Sequence, residues 1–172
     1  MRRIKNKNIE QLLIQLKFTP AQQRRKELQA AENLLEIIDG DTEYPFEFVC
    51  YKITGFHIQE LEKLESIKGN ELKEDLQVFI SRLSSQIAED VTAMNEKVYT
   101  TVELANELAV STKTISRWRK KGLNARKFIF DDGKKRVGFL RSAVDKFLTD
   151  NQQLIYKAGS FTRLSSEQIQ QI

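Results

Sequence analysis

The sequence predicts a mainly α-helical protein with one β-hairpin in its second half. Apolar residues recur every three or four positions along much of the chain, which is typical of one helix face. Two short apolar runs flank the pair Asp132-Gly133, and an Asp-Gly pair between such runs indicates a hairpin. With 172 residues, of which 40% are hydrophobic, the chain is long enough for one large domain or two small ones.

The first half of the chain predicts four helices. We expect the first over residues 9–16 and the second over residues 19–40, with Thr19 as N-cap. Residues 45–55 fit either a helical stripe or the alternation of a strand, and a proline at the start with a glycine at the end favours a helix. The fourth helix covers residues 70–83, with Asn70 as its N-cap.

Charge is unevenly distributed. Residues 1–30 contain eight Lys or Arg against two Asp or Glu, a net charge of +6. Residues 31–97 contain six Lys or Arg against fifteen Asp or Glu, a net charge of −9. Residues 98–148 contain twelve Lys or Arg against five Asp or Glu, a net charge of +7. Basic and acidic blocks indicate two modules with different partners, and a basic block suits a polyphosphate such as nucleic acid. The simpler alternative is a solvated charged face on each module.

We place the domain boundary where the apolar periodicity fades, between Ser84 and Lys97. The prediction is a helical module over residues 1–90, which could contact proteins, and a basic module over residues 91–158. Residues 159–172 begin a further segment, because Ser165 caps a helix whose apolar face stops at the last residue. We therefore expect this last segment to be truncated.

Residues 100–123 contain the start and stop signals of two short helices. Thr100 and Glu103 form a capping box at the first helix start. Ser111 is a suitable N-cap for the second helix, which is expected to end at Gly122, the residue favoured in a left-handed turn. Two capped helices joined by a tight turn predict a helix-turn-helix.

The second of these helices has an apolar face and a basic face. Ile115 and Trp118 define the buried side, and Leu123 is expected to contact Trp118. Arg119 lies nearer this side and suits a phosphate at a groove wall. The opposite face and its flank carry the side chains that we expect to reach into a DNA major groove: Thr112, Lys113, Ser116, Arg117 and Lys120. The alternative is an ordinary solvated face of a structural hairpin.

The hairpin after these helices resembles the wing of a winged helix-turn-helix. Lys134, Lys135 and Arg136 are expected at or near its tip, where a wing could contact the DNA backbone or minor groove. Lysines also occur on edge strands merely to prevent aggregation, which is the alternative here. A closing helix, capped by Ser142, is expected to pack three apolar residues against the module: Val144, Phe147 and Leu148.

Two resemblances follow from these motifs. The string VSTKTISRWRKKGL, with a hairpin and FLRSAVDKFL after it, resembles the winged MerR and excisionase-like proteins. Ala109 departs from the motif, which usually has glycine at this position. The apolar and small positions that match are Leu104, Ala105, Leu108, Val110, Ile115 and Trp118.

A longer resemblance covers most of the chain. YPFEFVCYKITGF, the helix-turn-helix and hairpin region, and FTRLSS are together similar to the N-terminal extension of certain bacterial RNA polymerase sigma factors. The promoter-binding sigma regions that follow in those proteins do not occur in this chain. The resemblance implies a fragment or separate version of that extension, acting in transcription on double-stranded DNA, with RNA polymerase as a further partner.

Composition argues against several other classes of protein. One cysteine and one histidine, Cys50 and His57, cannot form an internal disulfide, a zinc cage or a Cys/His catalytic pair. We therefore predict no catalytic residue, metal or cofactor. No run approaches the roughly 18 apolar residues of a membrane span, which predicts a cytoplasmic protein without a membrane partner. The alternatives to a transcription regulator are an excisionase-like protein that bends DNA and a protein-interaction adaptor.

Overall fold

The computed structural model describes residues 2–57 and 65–153, which form seven α-helices and five short strands. The prediction of a mainly helical protein is confirmed, and the strands form two small antiparallel sheets. None of the described helices combines the length and apolar character needed to cross a membrane. The elements are α1 (Lys7–Leu16), α2 (Ala21–Ile37), β1 (Glu43–Pro45), α3 (Phe46–Thr54), β2 (Ser66–Lys68), α4 (Gly69–Ile87), β3 (Val98–Thr100), α5 (Thr101–Glu107), α6 (Thr112–Lys120), β4 (Arg126–Ile129), β5 (Lys135–Leu140) and α7 (Arg141–Asp150).

The chain divides into two compact units. Unit 1 comprises Met1–Glu89 together with Arg126–Phe128, and unit 2 comprises Asp90–Ala125 and Ile129–Ile172. The sequence suggested contiguous modules and gave no sign that three residues of the hairpin region would group with unit 1. The helix that we expected at Ser165 lies outside the described residues.

Unit 1 is built around a helical core. The ambiguous segment after Pro45 is a helix, α3, and it ends at Gly55 in the left-handed conformation with φ 79°. Short strands β1 and β2, which the sequence did not predict, pair antiparallel with Tyr44 opposite Ile67. The core contains apolar residues from all four helices, among them Ile9, Leu28, Leu34, Val49, Leu72, Leu76 and Phe79.

Two helix starts in unit 1 differ from the predictions. The hydroxyl of Thr19 donates to the carbonyl of Leu16 at 2.7 Å, so it closes α1 instead of capping α2. Helix α4 begins at Gly69 without a side-chain cap, and the backbone N–H of Asn70 donates to the carbonyl of Gly40 at 3.2 Å. A backbone hydrogen bond across the fold has therefore replaced the local cap that the sequence suggested.

Unit 2 contains strands β3 and β5, the last residue of β4, and helices α5, α6 and α7. Strands β3 and β5 pair antiparallel, with Tyr99 opposite Phe139. The prediction that Ser142 caps α7 is wrong, because Leu140 occupies the N-cap position. The Ser142 backbone N–H and hydroxyl instead donate to the carboxylate of Glu96, at 2.6 and 3.0 Å. A carboxylate at a helix N-terminus satisfies free amides and interacts favourably with the helix dipole.

Candidate nucleic-acid interface

Local hydrogen bonds fix the starts of α5 and α6 as the sequence predicted. The backbone N–H of Glu103 donates to the Thr100 hydroxyl at 3.1 Å, and the Thr100 N–H donates to the Glu103 carboxylate at 3.5 Å. This is a complete capping box. At the start of α6, the Ser111 hydroxyl accepts the backbone N–H of Thr114 at 3.1 Å. Both helices therefore begin at the residues that the sequence predicted.

The end of α6 is a Schellman motif. The N–H of Leu123 donates to the carbonyl of Trp118 at 3.0 Å, and the N–H of Gly122 donates to the carbonyl of Arg119 at 3.4 Å. Gly122 has φ 118°, which explains the glycine at this position. Leu123 and Trp118 belong to the same buried cluster, as expected, together with Ile115 and Phe147. The indole of Trp118 lies 5.6 Å from the Phe147 ring, measured between centroids.

The outward face of α6 is cationic. Ile115 and Trp118 are 0% and 4% exposed, so they define the inward face. The helix contains four Lys or Arg and no Asp or Glu, and Arg119 is the half-buried one of the four. The remaining predicted contact residues of α6 are all exposed: Thr112, Lys113, Ser116, Arg117 and Lys120. The fold therefore collects the predicted helical set on one surface.

One exposed cation of this surface was not among the predicted contact residues. Lys121 is the C-cap residue of α6 and lies exposed, four positions after Arg117. Residues four apart share a helix face, so the spacing alone could have identified it. Lys121 therefore extends the basic face of α6 to the end of the helix.

The β4–β5 hairpin places its three predicted cations differently from one another. Lys134 lies in the turn, whereas Lys135 and Arg136 are the first residues of β5, and all three are exposed. The Asp132 carboxylate accepts the Lys134 backbone N–H at 3.1 Å and forms a salt bridge with the Arg136 guanidinium. These contacts lower the pKa of Asp132, chiefly through the Lys134 N–H. Arg136 therefore has an acidic partner in the turn.

The described residues contain no group of three or more His, Cys, Asp or Glu side chains that could hold a metal ion. Comparison of the chain with protein-family models, curated proteins and solved structures gives no match. The two resemblances noted in the sequence therefore stay predictions.

The turn between α5 and α6 contains an alanine in a conformation that favours glycine. Ala109 has φ 53°, and the Val110 N–H next to it donates to the Ala105 carbonyl at 2.9 Å. A side chain in the left-handed region is strained, so we expect Ala109→Gly to stabilise unit 2 by about 0.5–1 kcal/mol. Trp118, the only tryptophan, lies in the core of unit 2. Its fluorescence during denaturant unfolding therefore measures the change in the free energy of unfolding.

Ala105 provides the matched control for this prediction. It lies inside α5, where glycine is disfavoured, and Ala105→Gly should lower the free energy of unfolding by about 1 kcal/mol. Opposite signs for the two substitutions would identify the backbone of the turn as the cause. A lower unfolding midpoint for Ala109→Gly would contradict the prediction.

Proposed function

We propose that unit 2 is a winged helix-turn-helix that binds double-stranded DNA, and that the protein is a non-enzymatic transcription regulator or a sigma-factor-like initiation protein. The proposal rests on the composition of α6. This helix has four cations and no acidic residue, and its apolar face is buried in the unit. A capped helix that projects cations from one face has the chemistry of a recognition helix.

Helix α6 has suitable dimensions for a major groove. An α-helix with its side chains is about 10–12 Å in diameter, and the major groove of B-DNA is roughly 12 Å wide. The nine residues of α6 would extend over about 13 Å within it. Lys113, Arg117 and Lys120 follow one another at spacings of four and three residues, so their side chains lie along one face. In the proposed complex Arg117 and Ser116 contact base edges, and Lys120 contacts a phosphate.

The turn after β4 and strand β5, which both belong to unit 2, act as the wing in this proposal. Lys134 in the turn and Lys135 on β5 are exposed and suited to phosphate contacts. Arg136 would have to exchange its Asp132 partner for a phosphate. The resemblance to sigma-factor extensions supports RNA polymerase as a second partner of the chain and the cytoplasm as its location.

The test is binding of the full chain to labelled double-stranded DNA over a range of salt concentrations. Each neutralised phosphate releases counterions, so the logarithm of the affinity should fall linearly with the logarithm of salt concentration. A variant with Lys113, Lys120 and Arg117 all replaced by alanine should lose most of this affinity. Selection of bound fragments from a random DNA pool would then identify the preferred site.

A matched triple variant in unit 1 makes this test specific. Lys7, Lys26 and Lys52 are exposed lysines of α1, α2 and α3, and replacing them by alanine removes the same charge. DNA affinity should be largely retained. Loss of affinity in this variant with retention in the α6 variant would contradict the proposal, as would an affinity independent of salt. Strong bending of the selected site would favour the excisionase-like alternative, because architectural proteins deform their DNA.

A further inference from the structure

Unit 1 contains a groove of about 300 Å³ between α1 and α4 that DNA binding by α6 does not use. Leu13 and Ile14 of α1 form part of its wall. Three cations also line it: Lys17 at the C-cap of α1, Arg82 from α4, and Lys127 from the segment that groups with unit 1. One acidic residue, Glu10 of α1, lines it as well. The groove thus combines an apolar wall with excess positive charge.

Two exposed apolar side chains lie at the end of α1 and just after it. Ile14 is 49% exposed, and Phe18, in the turn that follows the helix, is 87% exposed. The backbone N–H of Phe18 donates to the carbonyl of Gln15 at 3.2 Å, which closes this turn. Exposed apolar side chains with polar neighbours are typical of an interaction site.

We propose that this groove binds an acidic amphipathic peptide segment of a partner protein. Leucine or phenylalanine side chains of the segment pack against Ile14 and Phe18, while its carboxylates pair with Arg82 and Lys17. An amphipathic helix laid in a groove is a common mode of peptide recognition. Charge complementarity selects an acidic segment. Residues 154–172 of the chain itself carry Lys157 and Arg163 against Glu167, so their charge is not complementary.

A nucleic-acid backbone fits the same groove less well. A phosphate chain would meet the carboxylate of Glu10 and would gain little from the exposed apolar side chains of Ile14 and Phe18. Bases of a single strand stack on aromatic side chains, but Phe18 is the one aromatic residue of this pair. The peptide proposal does not depend on DNA binding by unit 2.

The test is selection of peptides by the full chain from a phage-displayed library of random 16-residue sequences. The enriched peptides should combine Asp or Glu with Leu or Phe at helical spacing. Fluorescence anisotropy with these labelled peptides should show affinities at least about tenfold weaker for Arg82→Glu and for Ile14→Ser, as expected for central contacts. Lys26→Glu is the control, since Lys26 is exposed on α2 and does not line the groove.

A charge exchange provides a second readout. Arg82→Glu should bind a Glu-to-Lys version of the best peptide more tightly than the wild-type chain binds it, which a merely unfolded variant could not do. Enriched peptides without acidic residues, or equal binding by the wild-type chain and both groove variants, would overturn the proposal. Loss of affinity for a labelled DNA duplex in the groove variants, with no peptide enriched, would also overturn it and assign the groove to nucleic acid.

Discussion

Replacing Trp118 with alanine is expected to lower the free energy of unfolding of unit 2 by about 3–5 kcal/mol, because the substitution leaves a large cavity in a packed core. The side chain is 4% exposed and belongs to the cluster that contains Ile115, Leu123 and Phe147. Its ring contact with Phe147 disappears as well. Trp118→Phe keeps an aromatic ring at the site and should cost less.

Amide hydrogen exchange of α5 and α6 measures this loss, since the variant has no tryptophan to follow by fluorescence. The amides of unit 1 serve as an internal reference in the same sample. DNA binding at a temperature where the variant remains folded should be retained. Unchanged amide protection together with lost DNA binding would mean that the indole faces DNA and that our interpretation of α6 is wrong.

The sequence predicted the features of unit 2 that depend on neighbouring residues. The capping box at Thr100, the Ser111 cap and the turn at Gly122 each involve residues at most five positions apart. The two faces of α6 follow in the same way from the period of a helix. Such features are encoded locally, so pattern analysis could find them before the fold was known.

Contacts between distant parts of the chain were not predictable in this way. Glu96 reaches Ser142 across 46 positions and supplies the α7 cap that was assigned to Ser142 itself. The Asp75 carboxylate accepts the backbone N–H groups of Lys5 and Asn6, 70 and 69 positions away. The sequence contains several carboxylates that could accept these N–H groups. Which carboxylate does so depends on how the helices pack. The three-residue strands were missed because they are too short to show a period of two.

In the candidate site, too, some features could be predicted from the sequence and others could not. Exposure of the α6 cations follows from helical periodicity, whereas the salt bridge between Arg136 and Asp132 depends on the shape of the hairpin turn. The sequence distinguished Arg136 from its lysine neighbours only by the shape of its guanidinium and gave no sign of an acidic partner. In the folded hairpin it has an acidic partner, so its contribution to DNA affinity is expected to be smaller than that of Lys134.

The recognition helix and the wing are expected to contribute differently to DNA binding. Arg117 lies exposed in the middle of α6, and arginine is the commonest side chain in specific contacts to guanine. Arg117→Ala should therefore weaken binding to the preferred site by about 1–3 kcal/mol and weaken binding to random DNA much less. Arg117→Lys keeps the charge but cannot donate two parallel hydrogen bonds, so it should lose specificity while the salt dependence stays unchanged.

Joint replacement of Lys134 and Lys135 by alanine should lower general DNA affinity and leave specificity unchanged. Both are exposed point charges of the hairpin, so the variant should bind preferred and random DNA more weakly by the same factor. Removing two phosphate contacts should also reduce the slope of log affinity against log salt by about 2. Affinities of the three variants for both DNAs, measured at several salt concentrations, separate the two roles. Loss of specificity in the hairpin variant, with only general weakening in Arg117→Ala, would mean that the hairpin reads the sequence and α6 holds the backbone.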